Sequence, residues 1–217
     1  MYAVFIFMNF LNEWEPYPAQ WIRNLIEAGE LPDGVVDERD IRDIQPADLD
    51  GYTQVHLMAG IAGWVYALQL AGWPATQPVW TASLPCQPFS TAGHGRGTND
   101  ERHLWPTVAK LIAATRPPII FGEQVASKAG RAWWDGVSAD LEALDYSSRA
   151  VDISASGVGG CHIRQRLYWV AVDNANTGRR KQPDEAVRPG RVSTEPTGSM
   201  DMADTARHRR YGRGGME

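Results

Sequence analysis

Short apolar runs alternate with segments of helical period along most of this chain, and that alternation leaves few folds open. Residues 54–58, 79–84, 119–121 and 167–172 are strand-length apolar runs. Helical patterns over 63–71, 104–115 and 132–144 separate them. Strands spaced by helices read as βαβ units, which assemble into an α/β, doubly wound, mostly parallel sheet. Further strands are expected at 1–10, 34–37 and 150–153, and an amphipathic helix at 18–28, ending at Gly29. An acidic loop or turn is expected from 38 to Asp50, and Gly72 and Pro74 stop the helix at 63–71. Beyond Asp173 the residues turn rich in Gly, Pro, Arg, Ser and Thr with little periodicity. A packed core is not expected there. The domain reading is therefore 1–172 folded and 173–217 a basic, disordered tail.

No run reaches the ~18 apolar residues of a membrane span. The apolar opening, Met1 to Met8, lacks a basic leader and a small-residue cleavage site, so it reads as a buried strand and not a secretory signal. Two cysteines make no disulfide framework, and a cytoplasmic protein is expected. No metal site is expected. The net charge of −5 argues against a uniformly basic nucleic-acid binder. The charge is uneven, however: residues 1–150 carry 10 Lys/Arg against 18 Asp/Glu, and residues 151–217 carry 11 against 8. A phosphate-contacting surface would be local, around Arg96, Arg102, Arg164, Arg166 and the tail. Solubility alone accounts for the tail arginines equally well.

Three segments carry chemistry. Pro85-Cys86-Gln87-Pro88-Phe89-Ser90 follows an apolar strand and would present a thiol rigidly at its end. Cys161, beside Gly159-Gly160, reads as a packed or adventitious thiol. Phe121-Gly122-Glu123-Gln124-Val125 places a carboxylate at another strand end. In His162-Ile163-Arg164-Gln165-Arg166 the arginines occupy alternate positions of an extended segment and point the same way. A fourth segment, Met58-Ala59-Gly60-Ile61-Ala62-Gly63, follows a strand and opens a helix. Its small residues let backbone amides approach a ligand at the helix N-terminus.

In order and spacing these segments resemble the motifs of DNA cytosine-5 methyltransferases, over roughly residues 3–172. The resemblance implies Cys86 as nucleophile, Glu123 as the acid at the pyrimidine N3, and Arg164 and Arg166 at O2. It implies that Gln87 and Ser90 hold the flipped nucleotide, and that the loop Thr91 to Gly97 closes over DNA with Arg96 on a phosphate. It implies S-adenosylmethionine as cofactor, with the Met58–Gly63 loop around its methionine part. Phe10-Leu11-Asn12-Glu13-Trp14-Glu15 resembles the second motif, with Glu13 for the ribose and Trp14 for the adenine face. Arg39-Asp40-Ile41 resembles the third, with Asp40 for the adenine amine, a role that the nearby Asp37 could also serve. Pro85 and Leu104 match further cofactor positions.

The match has departures. Met58 stands for an aromatic, Ala62 for a glycine, Gln124 for an asparagine and His162 for a glutamine. The second and third motifs precede the first, so the chain resembles a locally permuted, compact member of the kind a phage or mobile element carries, at work in a bacterial or phage-infected cell. The helix after Gly63 must then either cross to the opposite sheet face or make a rare left-handed connection. A target-recognition domain is not evident in 173–217. That leaves a truncated chain, a second subunit supplying recognition, or a minimal enzyme with double-stranded DNA as partner. Rival readings are an RNA cytosine-5 methyltransferase, a non-catalytic cofactor- or DNA-binding subunit, and, more distantly, a Rossmann oxidoreductase, which gives Cys86 no role.

Overall fold

The computed structural model describes residues 8–85 and 104–177. All of them belong to one compact unit, Met1–Lys181. Seven strands form one sheet: β1 (Asn9–Asn12), β2 (Gly34–Asp37), β3 (Gln54–Leu57), β4 (Val79–Ser83), β5 (Ile119–Val125), β6 (Tyr146–Ser154) and β7 (Gln165–Asp173), in the spatial order β2-β1-β3-β4-β5-β7-β6. Pairing is parallel from β2 through β5, and β7 is antiparallel to both neighbours. The mostly parallel α/β sheet read from the alternation is the one observed.

The first strand differs from its expectation, which ended at Phe10; the described strand continues to Asn12, while residues 1–7 lie outside the described part. The asparagine at its end, Asn12, hid the rest. Asn9 and Asn12 are buried, and their amides are satisfied by the carbonyl oxygens of Asp33 (3.2 Å) and Arg39 (2.8 Å) respectively. A hydrogen-bonded amide costs little inside a sheet, whereas an apolar count treats it as an ending. The stretch from Asp40 to Asp50 is not plain loop either. It holds two 3-10 turns, Ile41–Asp43 and Pro46–Leu49, whose Ile41 and Leu49 enter the core.

The helices are α1 (Pro16–Glu27), α2 (Gly63–Leu70), α3 (Trp105–Thr115), α4 (Lys128–Ala143) and α5 (Asn174–Thr177). α1 and α2 share one sheet face: Ile22 and Val65 pack together with Leu11, and Trp64 stacks on Phe121 of β5 at 5.9 Å. The 3-10 turns, α3 and α4 cover the other face, where Phe10, Val55, Trp80, Ile120 and Trp169 meet Leu111, Trp133 and Leu141.

This arrangement settles the path after Gly63. The step β1–α1–β2 moves one way along the sheet, and β3–α2–β4 moves the opposite way with its helix on the same face. The two crossovers are therefore of opposite hand. Every other crossover matches β1–α1–β2, because it moves the opposite way with its connection on the opposite face. Right-handed connections dominate, so β3–α2–β4 is the left-handed one. Its return loop is pinned on the way back. α2 ends in a Schellman motif with Gly72 at φ 67°, in which Trp73 N–H bonds to Leu68 O at 2.9 Å. Trp73 then packs edge-on against Phe121, and Gln54 donates to Pro74 O at 3.2 Å.

Candidate active site

A cavity of about 490 Å³ opens at the C-terminal ends of β1, β3 and β4, within the range usual for small-molecule sites. In a doubly wound sheet this is the crevice where ligands bind, beside the point at which strand order reverses. Glu13, Trp14, Asp40, Ile41, Met58, Gly60, Pro85 and Leu104 line it, eight of the residues singled out from sequence. Asn12, Glu15, Arg42 and Ser83 line it too and were not singled out. Asn12 adjoins Glu13 at the strand end, and that adjacency was the available signal.

Glu13 sits just past β1 and is 7% exposed. Its Oε2 accepts the N–H of Gly60 at 2.7 Å, and its Oε1 accepts that of Glu15 at 3.0 Å. One carboxylate thus ties the first strand to the loop after the third. Trp14 is 62% exposed, leaving an aromatic face free at the cavity mouth. Asp40 caps the first 3-10 turn, accepting from Arg42 N at 2.9 Å, and ion-pairs with the Arg42 guanidinium. The Arg42 hydrogen bonds hold its carboxyl below the usual carboxylate range.

The loop after β3 alternates into the left-handed region at Met58 (φ 52°), Gly60 (φ 59°) and Ala62 (φ 62°). A side chain there costs about 1–2 kcal/mol, so Ala62 carries a strain that glycine would not. A Cβ at Gly60 would meet no atom within 4 Å, so the loop has open space at that point. Ala59 donates its N–H to Asn12 O at 2.8 Å, Ala62 is buried and caps α2, and Gly63 begins that helix. Ile61 is 69% exposed, and none of Ala59, Ile61, Ala62 and Gly63 lines the cavity.

A second cluster lies next to the first. Ser83, which lines the cavity, pairs across strands with Glu123. Glu123 Oε2 lies 3.1 Å from Arg166 Nε. That ion pair lacks hydrogen-bond alignment, so among the described residues this buried oxygen still has its acceptor position open. Arg164 is exposed and precedes β7, its carbonyl accepting the N–H of Ala155 at 3.1 Å. The structure thus brings Glu123 and Arg166 together, and Arg164 is not part of that contact. Cys86, Gln87, Ser90 and Arg96 lie outside the described residues. Gln124 is 1% exposed, and its Oε1 accepts the N–H of Val125 at 2.9 Å.

With these elements in place, a family model described as C-5 cytosine-specific DNA methylase matches residues 73–207. The chain belongs to that family. It is 28% identical over 177 residues to the type II methyltransferase M.NgoMIV of Neisseria gonorrhoeae, covering 80% of this chain and 47% of that protein. It is 31% identical over 97 residues to the type II methyltransferase M.HhaI of Haemophilus parahaemolyticus, covering 43% of this chain and 30% of that protein. The chain spans about half, or less, of the length of these relatives. A crystal structure of DNMT2 from Spodoptera frugiperda is 17% identical, with a TM-score of 0.45, covering 82% of this chain and 54% of that one. Members of the family use S-adenosylmethionine, and the residues present fit it. The cavity has a volume usual for a small-molecule ligand, a buried carboxylate, an exposed tryptophan and open space over a glycine. No helix among the described residues is long and apolar enough to cross a membrane.

Proposed function

We propose that this chain is the catalytic part of an S-adenosylmethionine-dependent methyltransferase acting on carbon 5 of a flipped-out cytosine in double-stranded DNA. The observation that carries the reading is the adjacency of two clusters. Ser83 belongs to the cofactor cavity and is the cross-strand neighbour of Glu123, which pairs with Arg166. A cofactor in one would lie beside a base held by the other.

Glu13 would accept the ribose hydroxyls, Trp14 would cover the adenine, and Asp40 would receive its amine, with the loop from Met58 to Gly63 around the amino-acid end. When bound, S-adenosylmethionine supplies an electrophilic methyl group. The Cys86 thiolate adds to C6 of the cytosine, forming an S–C6 bond and moving an electron pair toward C5 and N3. Glu123, protonated, gives its proton to N3 as that pair arrives and takes it back when the ring is restored. Arg166 orients the Glu123 carboxyl, and Arg164 holds the pyrimidine O2. Once C5 carries the methyl group, its bond to the sulfonium sulfur broken and the neutral thioether left behind, loss of the C5 proton to a base would re-form the C5–C6 double bond and release Cys86 as thiolate. Gln87, Ser90 and Arg96 would hold the extruded nucleotide and its phosphate.

The parallel strands occupy the places of a doubly wound sheet of order 3-2-1-4-5, and this chain visits the first place third. That supports a permuted motif order. Residues 1–172 serve as the catalytic domain, and 173–217 as a basic tail or remnant of a recognition region, with target recognition supplied by a further segment or a second subunit.

Covalent trapping on 5-fluorocytosine substrates tests this. With S-adenosylmethionine and a mixed-sequence DNA duplex, wild type should give a denaturation-stable adduct and Cys86→Ala none. An adduct on an RNA substrate and none on DNA would move the activity to RNA.

A further inference from the structure

We propose that Asn12 is a positioning residue of the cofactor site, clamping together the two loops that form its walls. This rests on the cofactor reading above and adds to it a residue of the second-motif segment to which no role has been given.

Asn12 is the last residue of β1, the strand between β2 and β3, and is 2% exposed. Its side-chain Nδ2 donates to Arg39 O at 2.8 Å and to Asp37 O at 3.3 Å, fixing the turn that delivers Asp40 and Ile41. Its own carbonyl accepts Ala59 N–H at 2.8 Å, fixing the loop that delivers Met58 and Gly60. The next residue, Glu13, donates its N–H to the same Asp37 carbonyl at 3.0 Å. One buried residue thus sets the spacing between the adenine side and the methionine side of the cavity.

The chemistry demands an amide of this length. Two carbonyl acceptors need two N–H donors from one short side chain. Aspartate would face those carbonyls with a carboxylate beside Glu13. Serine supplies one donor that falls short, and glutamine is one methylene too long.

Asn9 provides a built-in control. It begins the same strand, is 5% exposed, and donates to Asp33 O at 3.2 Å, but it stands at the opposite end of the strand from the cavity. A purely structural role predicts the same consequences for both asparagines.

The experiment measures S-adenosylhomocysteine binding by calorimetry, with apo thermal unfolding, on wild type, Asn12→Ala, Asn12→Ser, Asn12→Asp and Asn9→Ala. The expected result is a loss of affinity of about tenfold or more in Asn12→Ala, from two lost hydrogen bonds. Asn12→Ser should lose less, Asn12→Asp more. The Asn12→Asp loss should shrink as pH falls and the carboxyl becomes a donor. Asn9→Ala should bind as wild type does, whatever its melting temperature. In turnover, the KM for S-adenosylmethionine should rise with kcat retained at saturation. Unchanged affinity in folded Asn12→Ala and Asn12→Ser, or an equal loss in Asn9→Ala, overturns the proposal with the cofactor reading intact. Failure of wild type to bind overturns both.

Discussion

The carboxylate of Glu13 takes the backbone N–H of Gly60 at 2.7 Å, across 47 positions of sequence. In the proposed cofactor reading a ribose hydroxyl would share this carboxylate, so the loop would be held ready by the group that holds the ligand. Glu13→Ala should lower S-adenosylhomocysteine affinity by about 10- to 100-fold, the worth of charge-assisted hydrogen bonds of ~1.5–3 kcal/mol. Glu13→Gln should lose less. Calorimetry on the folded variants reads both.

The Glu123–Arg166 contact should separate catalysis from stability. Both side chains are partly open to solvent, at 29% and 21%, so water screens the pair and its removal should cost under about 1 kcal/mol. Arg166→Ala should nevertheless slow methyl transfer by up to about 10²–10⁴-fold, the usual worth of the proton-transfer group that it positions. Thermal melts beside single-turnover rates check the two halves.

His56 predicts acid sensitivity. It is fully buried, its Nδ1 lies 2.8 Å from Thr81 Oγ1, and Nε2 finds no partner among the described residues. Burial pushes its pKa down from 6.5 to about 3. Between those values the unfolded chain binds a proton that the folded one refuses, so stability falls as pH drops through that window. At pH 5 the loss is about 2 kcal/mol. Unfolding free energies from denaturant titrations at pH 7.5 and pH 5 should differ in wild type by that much more than in His56→Val.

Gly122 has no room for a side chain. A Cβ there would lie 2.2 Å from the Trp169 ring, which itself stacks near Trp134 at 5.5 Å. Gly122→Ala should cost about 1–3 kcal/mol and change the near-ultraviolet signal of the tryptophan cluster. A chemical melt alongside circular dichroism tests it.

Sequence reached the site further than it reached the elements around it. Glu13, Asp40 and Gly60 could be read because their segments resemble family motifs, and a parallel sheet gathers its strand ends whatever the chain order. The start of α4 could not. The expectation began at residue 132, whereas the helix begins at Lys128, because Gly130 in its first turn reads as a breaker. The structure shows the reason for that glycine: a Cβ would sit 2.0 Å from Val125 O, and the Gly130 N–H bonds to the capping Ser127 Oγ at 3.0 Å. The face chosen by α2 was equally illegible. Trp64 picks it by stacking on Phe121, a partner 57 residues away that no local pattern announces.

The left-handed crossover through α2 has an engineering consequence. If the β3–α2 unit were moved ahead of β1, α2 would lead to β1 with the common hand, and the 3-10 turns would lead from β2 to β4, also with the common hand. Every strand would keep its neighbours and every cavity residue its place. A gene rearranged in that way encodes the same pocket, which makes the pocket a property of where strands end in space and indifferent to the order in which a ribosome delivers them.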